Sequence, residues 1–246
     1  MSRSQLTDRR TFVLGLSAGL ALPFVPRRAG ASTEDLRVLI VGGSAMVGAL
    51  GKELSDGLQA AGHVTERKSK SASGLARPDF YDWPKVAAEA HAEFRPHATI
   101  VMFGGNDGQG LRMPPESDVE WIRWTNEAWS EEYGRRVDAF ADAVMPDGEQ
   151  LFWMGMPAMR QSKLDLRMQR MNAIFEERMA ARANGWFIET RSALSDDRGN
   201  YVDEMKVDGR LVRVRSPDGI HYSRSGAKVL ARHVVPQVVE RLGATE

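Results

Sequence analysis

Arg37-Val38-Leu39-Ile40-Val41-Gly42-Gly43-Ser44-Ala45-Met46-Val47-Gly48 is the stretch on which the reading of the chain turns. Four apolar residues, three of them β-branched, spell a short buried strand. Two glycines then let the backbone turn sharply. Ser44 follows, and small and apolar residues open a predicted helix from Ala45 to Ala61, with Leu50, Leu54 and Leu58 at helical spacing and Gly62 as its stop. A strand that runs into a helix through a glycine turn sets Ser44 at the carboxyl edge of a sheet, where open α/β folds place their ligands. It also sets Ser44 beside helix N–H groups that favour developing negative charge.

The same texture recurs along the chain. His63 to Lys68 reads as a short strand, and Ser69 to Pro78 as a small, polar loop centred on Gly74. Asp82-Trp83-Pro84 opens a helix to Phe94, with Asp82 as N-cap. The strand Ala98–Phe103 empties into Gly104-Gly105-Asn106-Asp107-Gly108. A long helical region with Trp121, Trp124 and Trp129 is expected up to Val144; Trp121 and Trp124 would share one face, as a core stripe or as a platform for a sugar or acyl group. Gln150–Met156 is a strand ending in the loop Pro157–Arg160, Leu164–Ala183 is helical, and Trp186–Thr190 is a further strand. Tyr201–Asp203 and Leu211–Val214 are expected to pair across Asp208-Gly209, a hairpin signal. An amphipathic helix from Arg224 to Leu242 closes the chain. Strands alternating with helices predict a mostly parallel sheet covered on both faces. Right-handed crossovers then bring Ser44, Gly74, Asn106 and Arg160 to one sheet edge.

The 246 residues suit one α/β domain, and 42% apolar residues suffice for its core. Basic and acidic residues balance at 33 each, so nothing points to nucleic acid. Cysteine is absent, which excludes disulfides and thiolate chemistry, and five scattered histidines argue against zinc. Asp8-Arg9-Arg10-Thr11-Phe12-Val13, an apolar run to Val25 and Ala29-Gly30-Ala31 resemble a twin-arginine export signal over residues 1–31, with the folded domain spanning 32–246. The apolar run is too short to cross a bilayer, which takes about 20 residues. Cleavage after Ala31 would leave 28 basic and 32 acidic residues. The expected location is periplasmic or secreted, with the export machinery as a partner and no lasting membrane insertion.

Ester hydrolysis at a serine needs a base, a group that orients the base, and donors for the oxyanion. Asp218-Gly219-Ile220-His221 offers the first two within one turn. Asn106 could point its amide into the site or satisfy its own loop, and Gly74 could give a backbone N–H. A dinucleotide-binding turn fits poorly, since Ser44 and Val47 stand where its second and third glycines belong.

In order, Gly42-x-Ser44, Gly74, Gly104-x-Asn106-Asp107 and Asp218-x-x-His221 resemble the four blocks of the SGNH hydrolases, the GDSL esterase/lipase superfamily, over roughly residues 36 to 243. The resemblance implies a three-layer α/β/α sandwich, flavodoxin-like, with a five-stranded sheet. It implies Ser44 as nucleophile, His221 as general base and acid, and Asp218 as its orienter. The oxyanion hole would be the N–H groups of Ser44 and Gly74 and the amide of Asn106. No metal or cofactor is implied. The expected activity is a serine esterase acting on O-acyl, above all O-acetyl, groups of a small molecule or an envelope glycan, with Arg160 as a candidate for an anionic substrate group or for a structural ion pair. The alternatives are an O-acyltransferase with the same triad and a catalytically weak glycan-binding protein. The second draws on Gly43, which stands where the family usually has aspartate.

Overall fold

Five parallel strands in the order β2-β1-β3-β6-β7 form the centre of the computed structural model, which describes residues 35–244. They are β1 (Arg37–Gly42), β2 (Val64–Ser69), β3 (Ala98–Met102), β6 (Gln150–Met154) and β7 (Gly185–Ile188). The apolar runs end up in the middle of the sheet for the expected reason: β1, β3 and β6 are buried on both faces, whereas the polar edge strand β2 is largely open. Helices α1 (Ser44–Val47), α2 (Ala49–Ala60) and α6 (Arg224–Gly243) lie together, with α2 packed on α6. Helices α3 (Trp83–Phe94), α4 (Trp129–Val144) and α5 (Ser162–Ala180) pack on one another as the other layer. The three-layer α/β/α expectation therefore holds. Phe103, Phe140, Trp153 and Phe175 interlock beneath the second helical layer with ring centroids 4.9–6.1 Å apart.

The chain leaves β1 for β2 on one side and returns to β3 on the other, so the sheet reverses direction between β1 and β3. That is the switch point at which open α/β sheets hold ligands. Gly42 and Met102 are register partners, and the Gly43 N–H donates to the Met102 carbonyl at 3.3 Å. The two glycine turns thus leave the sheet side by side.

Three expectations need correction. The helix predicted over 45–61 is broken at Gly48 into α1 and α2. The break lets Met46 fold back over the turn, where a Cβ on Gly42 would meet its Cγ at 2.5 Å and a Cβ on Gly51 would meet its carbonyl at 2.2 Å. Trp121 and Trp124 share no helix: β4 (Leu111–Arg112) and β5 (Trp121–Ile122) make a small antiparallel pair, and α4 begins at Trp129. Tertiary packing sets that start, with buried Trp129 stacked on Tyr133 at 4.7 Å and Trp124 edge-on to it at 4.3 Å. The late hairpin pairs β8 (Glu204–Val207) with β9 (Arg210–Arg213), a few residues after the expected start, because Tyr201 bridges to Ser195 instead. The expected export signal, residues 1–31, lies outside the described residues. Among those described, no helix is long and apolar enough to cross a membrane.

Candidate active site

Ser44 is the first residue of α1, delivered by the glycine turn after β1. Its N–H has no intrahelical acceptor at that position and none elsewhere among the described residues. His221 reaches it from the loop before α6: Nε2 lies 2.8 Å from Ser44 Oγ, and Nδ1 lies 2.7 Å from Asp218 Oδ2. A carboxylate only accepts, so Nδ1 carries the proton and Nε2 presents its lone pair to the serine hydroxyl. The other Asp218 oxygen accepts from the N–H groups of Ile220 at 2.8 Å and His221 at 2.9 Å. Partial burial pushes the Asp218 carboxyl upward, but the His221 ring and these two N–H groups outweigh it and hold the group at about 2.

The Asp218–His221 turn is braced from below. Gly219 sits at φ +73°, and a Cβ there would meet Arg160 Cβ at 2.7 Å, so both the backbone and the packing demand glycine. Arg160 donates from its N–H to the Gly219 carbonyl at 3.3 Å and from Nη1 to the Pro217 carbonyl at 2.7 Å. Its other nitrogen is paired with Asp203 at 2.5 Å and Tyr201 at 3.2 Å. Arg160 thus makes the structural ion pair that was one of its two sequence readings. Sequence reasoning passed over Arg215. It is fully buried, stacks on Tyr201 and Tyr222, and donates to the carbonyls of Ile220 and Ala158. Burial lowers its pKa, against the attraction of Tyr222, Tyr201 and nearby carboxylates.

Asn106 and Ser73, the residue before Gly74, stand at the opposite wall. The Asn106 amide donates one N–H to the Ser73 carbonyl at 3.1 Å, so it serves the neighbouring loop and not its own, with its second N–H remaining for a ligand. The Gly74 N–H has no acceptor among the described residues. Asp107, the other residue that sequence reasoning passed over, fixes this loop. Its buried carboxylate accepts from the Ala76 N–H and the Tyr133 hydroxyl, each at 2.8 Å, and a Cβ on Gly74 would stand 2.2 Å from its Oδ1. Burial raises the Asp107 pKa, opposed by the hydrogen bonds from Ala76, Tyr133 and Leu75 and by the Arg136 charge. The signal was its place beside Asn106.

Gly43 departs from the family pattern for a visible reason. A Cβ there would lie 2.9 Å from the Ser73 carbonyl oxygen and 3.8 Å from Asn106 Nδ2. The Ser73 carbonyl occupies the space a side chain would take and itself holds the asparagine.

These residues enclose a crevice between Ser44, Asn106 and His221, with Phe103 and Met156 among its walls and a free volume of about 20 Å³. A larger cavity, about 740 Å³, is lined by Arg37, His97 and Gln150 at the amino ends of the strands, the wrong edge for this chemistry. Among the described residues, no group of three or more histidines and carboxylates could hold a metal ion.

The sheet order, the flanking layers and the four blocks define an SGNH (GDSL) hydrolase fold. Within that class the chain belongs to the family described as "Protein of unknown function (DUF459)", which matches residues 37–237. No curated protein matches it. Among solved structures it is similar to a GDSL-like lipase from Bacteroides thetaiotaomicron, at 14% identity over 84% of this chain and 89% of that one, with a TM-score of 0.56. It is also similar to a catalytic mutant of Axe2, an acetylxylan esterase from Geobacillus stearothermophilus, at 15% identity over 82% and 94% of the two chains, with a TM-score of 0.59. LAE5, an alpha/beta hydrolase from the metagenome of Lake Arreo, Spain, gives 15% identity, 84% and 96% coverage, and a TM-score of 0.59. The likeness is one of fold.

Proposed function

We propose that the chain is a serine ester hydrolase that removes small O-acyl groups, acetyl above all, through an acyl-enzyme on Ser44. The observation that carries this reading is the unbroken relay from Ser44 Oγ through His221 to Asp218, at 2.8 and 2.7 Å. In the reaction, Ser44 Oγ attacks the acyl carbon while its proton passes to His221 Nε2. The N–H groups of Ser44 and Gly74 and the second Asn106 N–H stabilise the oxyanion. His221 then protonates the departing alkoxide, and water repeats the sequence to release the acid. Asp218 stays ionised, because its carboxyl titrates far below neutrality.

The crevice beside Ser44 supports a short acyl group. About 20 Å³ is room for one or two water-sized groups, which suits an acetyl methyl. Catalytic mutants of the acetylxylan esterase Axe2 alter a serine, an aspartate and a histidine three residues after that aspartate, the spacing of Asp218 and His221 here. The twin arginines Arg9-Arg10 and Ala29-Gly30-Ala31 support action in the periplasm, with an acylated envelope glycan as the proposed substrate. Steady-state hydrolysis of 4-nitrophenyl acetate, butyrate and octanoate tests the reading. We expect kcat/KM to fall from acetate to octanoate by at least roughly tenfold, since added methylenes have no cavity to enter. A preference for octanoate would refute the acetyl assignment.

A further inference from the structure

Arg224, Lys228 and Arg232 stand four residues apart on α6, so they stack along one helix face, and the first follows His221 by three residues. They line adjoining cavities. One, of about 580 Å³, lies between Arg67, Arg224, Lys228 and the Val47–Ala49 junction between the nucleophile's helix and the next. Lys228 also borders a second of about 440 Å³ and, with Arg210 and Arg232, a third of about 430 Å³. Among the described residues Arg67, Arg210, Arg224 and Lys228 have no carboxylate within ion-pair distance; the one side-chain hydrogen bond from Arg67 goes to the Val47 carbonyl at 3.4 Å. Of the acids in the groove, Asp56 is paired with Lys52 and Asp208 with Arg232, which leaves Glu53 alone against four cations. The chain as a whole carries no net charge, so this concentration is local.

We propose that this groove binds the anionic part of the ester substrate, a saccharide chain bearing carboxylate or phosphate groups. The proposal rests on the ester-hydrolase reading and adds the substrate's charge to it. Guanidinium forks suit both anions. The ladder climbs about 6 Å per four residues of helix, so it tracks a chain leading away from Ser44 and His221 rather than one small ion. Single-stranded nucleic acid would call for aromatic stacking surfaces, and no aromatic residue lines these three cavities.

The test uses three O-acetylated trisaccharides and the full chain: a glucose trimer, a glucuronate trimer and a glucose trimer phosphorylated at each C6. We expect one anionic trimer to exceed the neutral one in kcat/KM by roughly fivefold to tenfold, through KM, and the advantage to shrink in about 0.5 M salt. Which anion leads separates carboxylate from phosphate. In Arg224→Gln/Lys228→Gln the anionic-to-neutral ratio should fall toward one. A neutral trimer equal to both anions, or an advantage that survives in the double variant, would overturn the proposal. If no trimer and no 4-nitrophenyl acetate is hydrolysed, the esterase reading fails by itself. Calorimetric binding of the same trimers then judges the groove: anion-selective binding lost in the double variant upholds it, and equal binding overturns it. Stronger binding of a single-stranded oligonucleotide than of either anionic trimer overturns the saccharide assignment.

Discussion

Placing at Gly43 the aspartate usual in the SGNH pattern should damage this protein. The position has ordinary backbone angles, φ −75° and ψ −154°, so the obstacle is space and not strain. Any Cβ would come 2.9 Å from the Ser73 carbonyl oxygen, which is backbone and cannot swing aside. The loop must retreat, and the Asn106–Ser73 hydrogen bond at 3.1 Å goes with it. Overpacking costs about 1–3 kcal/mol and the lost hydrogen bond about 0.5–1.5 kcal/mol. In a domain of this size the sum lowers Tm by roughly 3–18 °C. Two of the three proposed oxyanion donors, Asn106 and Gly74, depend on the same loop, so kcat should fall by about 10²–10³. Thermal unfolding and 4-nitrophenyl acetate turnover of Gly43→Asp and Gly43→Ala measure both effects, with alanine showing the same direction because it carries the same Cβ. A Gly43→Asp variant with unchanged Tm and equal or higher kcat would refute the reasoning.

Asn106→Ala should lower kcat by about 10²–10³ with little change in KM; an effect on KM alone would make Asn106 a binding residue. Arg160→Ala removes the side-chain bonds to the Pro217 carbonyl and Asp203, while the backbone bond to the Gly219 carbonyl stays, and should reduce kcat about tenfold at nearly constant KM, without rescue by Arg160→Lys, since one ammonium cannot replace the guanidinium's fork to Pro217 and Asp203. Asp218 titrates at about 2 in the folded chain against 3.8 ordinarily, so its contribution to stability is full above about pH 4 and is lost as pH falls toward 2. The contribution is small because the carboxylate is 45% exposed, and Asp218→Asn should flatten the fall of Tm between pH 5 and 2 by a correspondingly small amount.

Much of this architecture can be read from short patterns. Val38–Val41 and Leu151–Met154 are apolar throughout, and Ala98–Met102 at every position but Thr99, because central parallel strands are buried on both faces, and that leaves their glycine-rich exits unmistakable. Asp208-Gly209 marked its hairpin through local chemistry, and both residues have the positive φ that a two-residue loop requires, +51° and +78°. Asp82 was legible as an N-cap, and its carboxylate accepts from the Lys85 N–H at 3.2 Å. What escaped depends on partners far away in sequence. The start of α4 is set by Trp129 packing on Tyr133 and Trp124, and no local periodicity distinguishes Trp121 from it. The duty of Arg160 is assigned by residues more than 40 positions later. The absence of aspartate at position 43 makes sense only once the Ser73 carbonyl is seen in its place.

The most direct test of the central claim is covalent trapping. The full chain, Ser44→Ala and His221→Ala are treated with an alkyl fluorophosphonate, and the modified peptide is located by mass spectrometry. A nucleophilic serine activated by His221 predicts one adduct per chain on Ser44, parallel loss of ester hydrolysis, no adduct in Ser44→Ala and much slower labelling in His221→Ala. A folded protein that takes no label, or takes it on another residue while hydrolysing esters normally, would contradict the account.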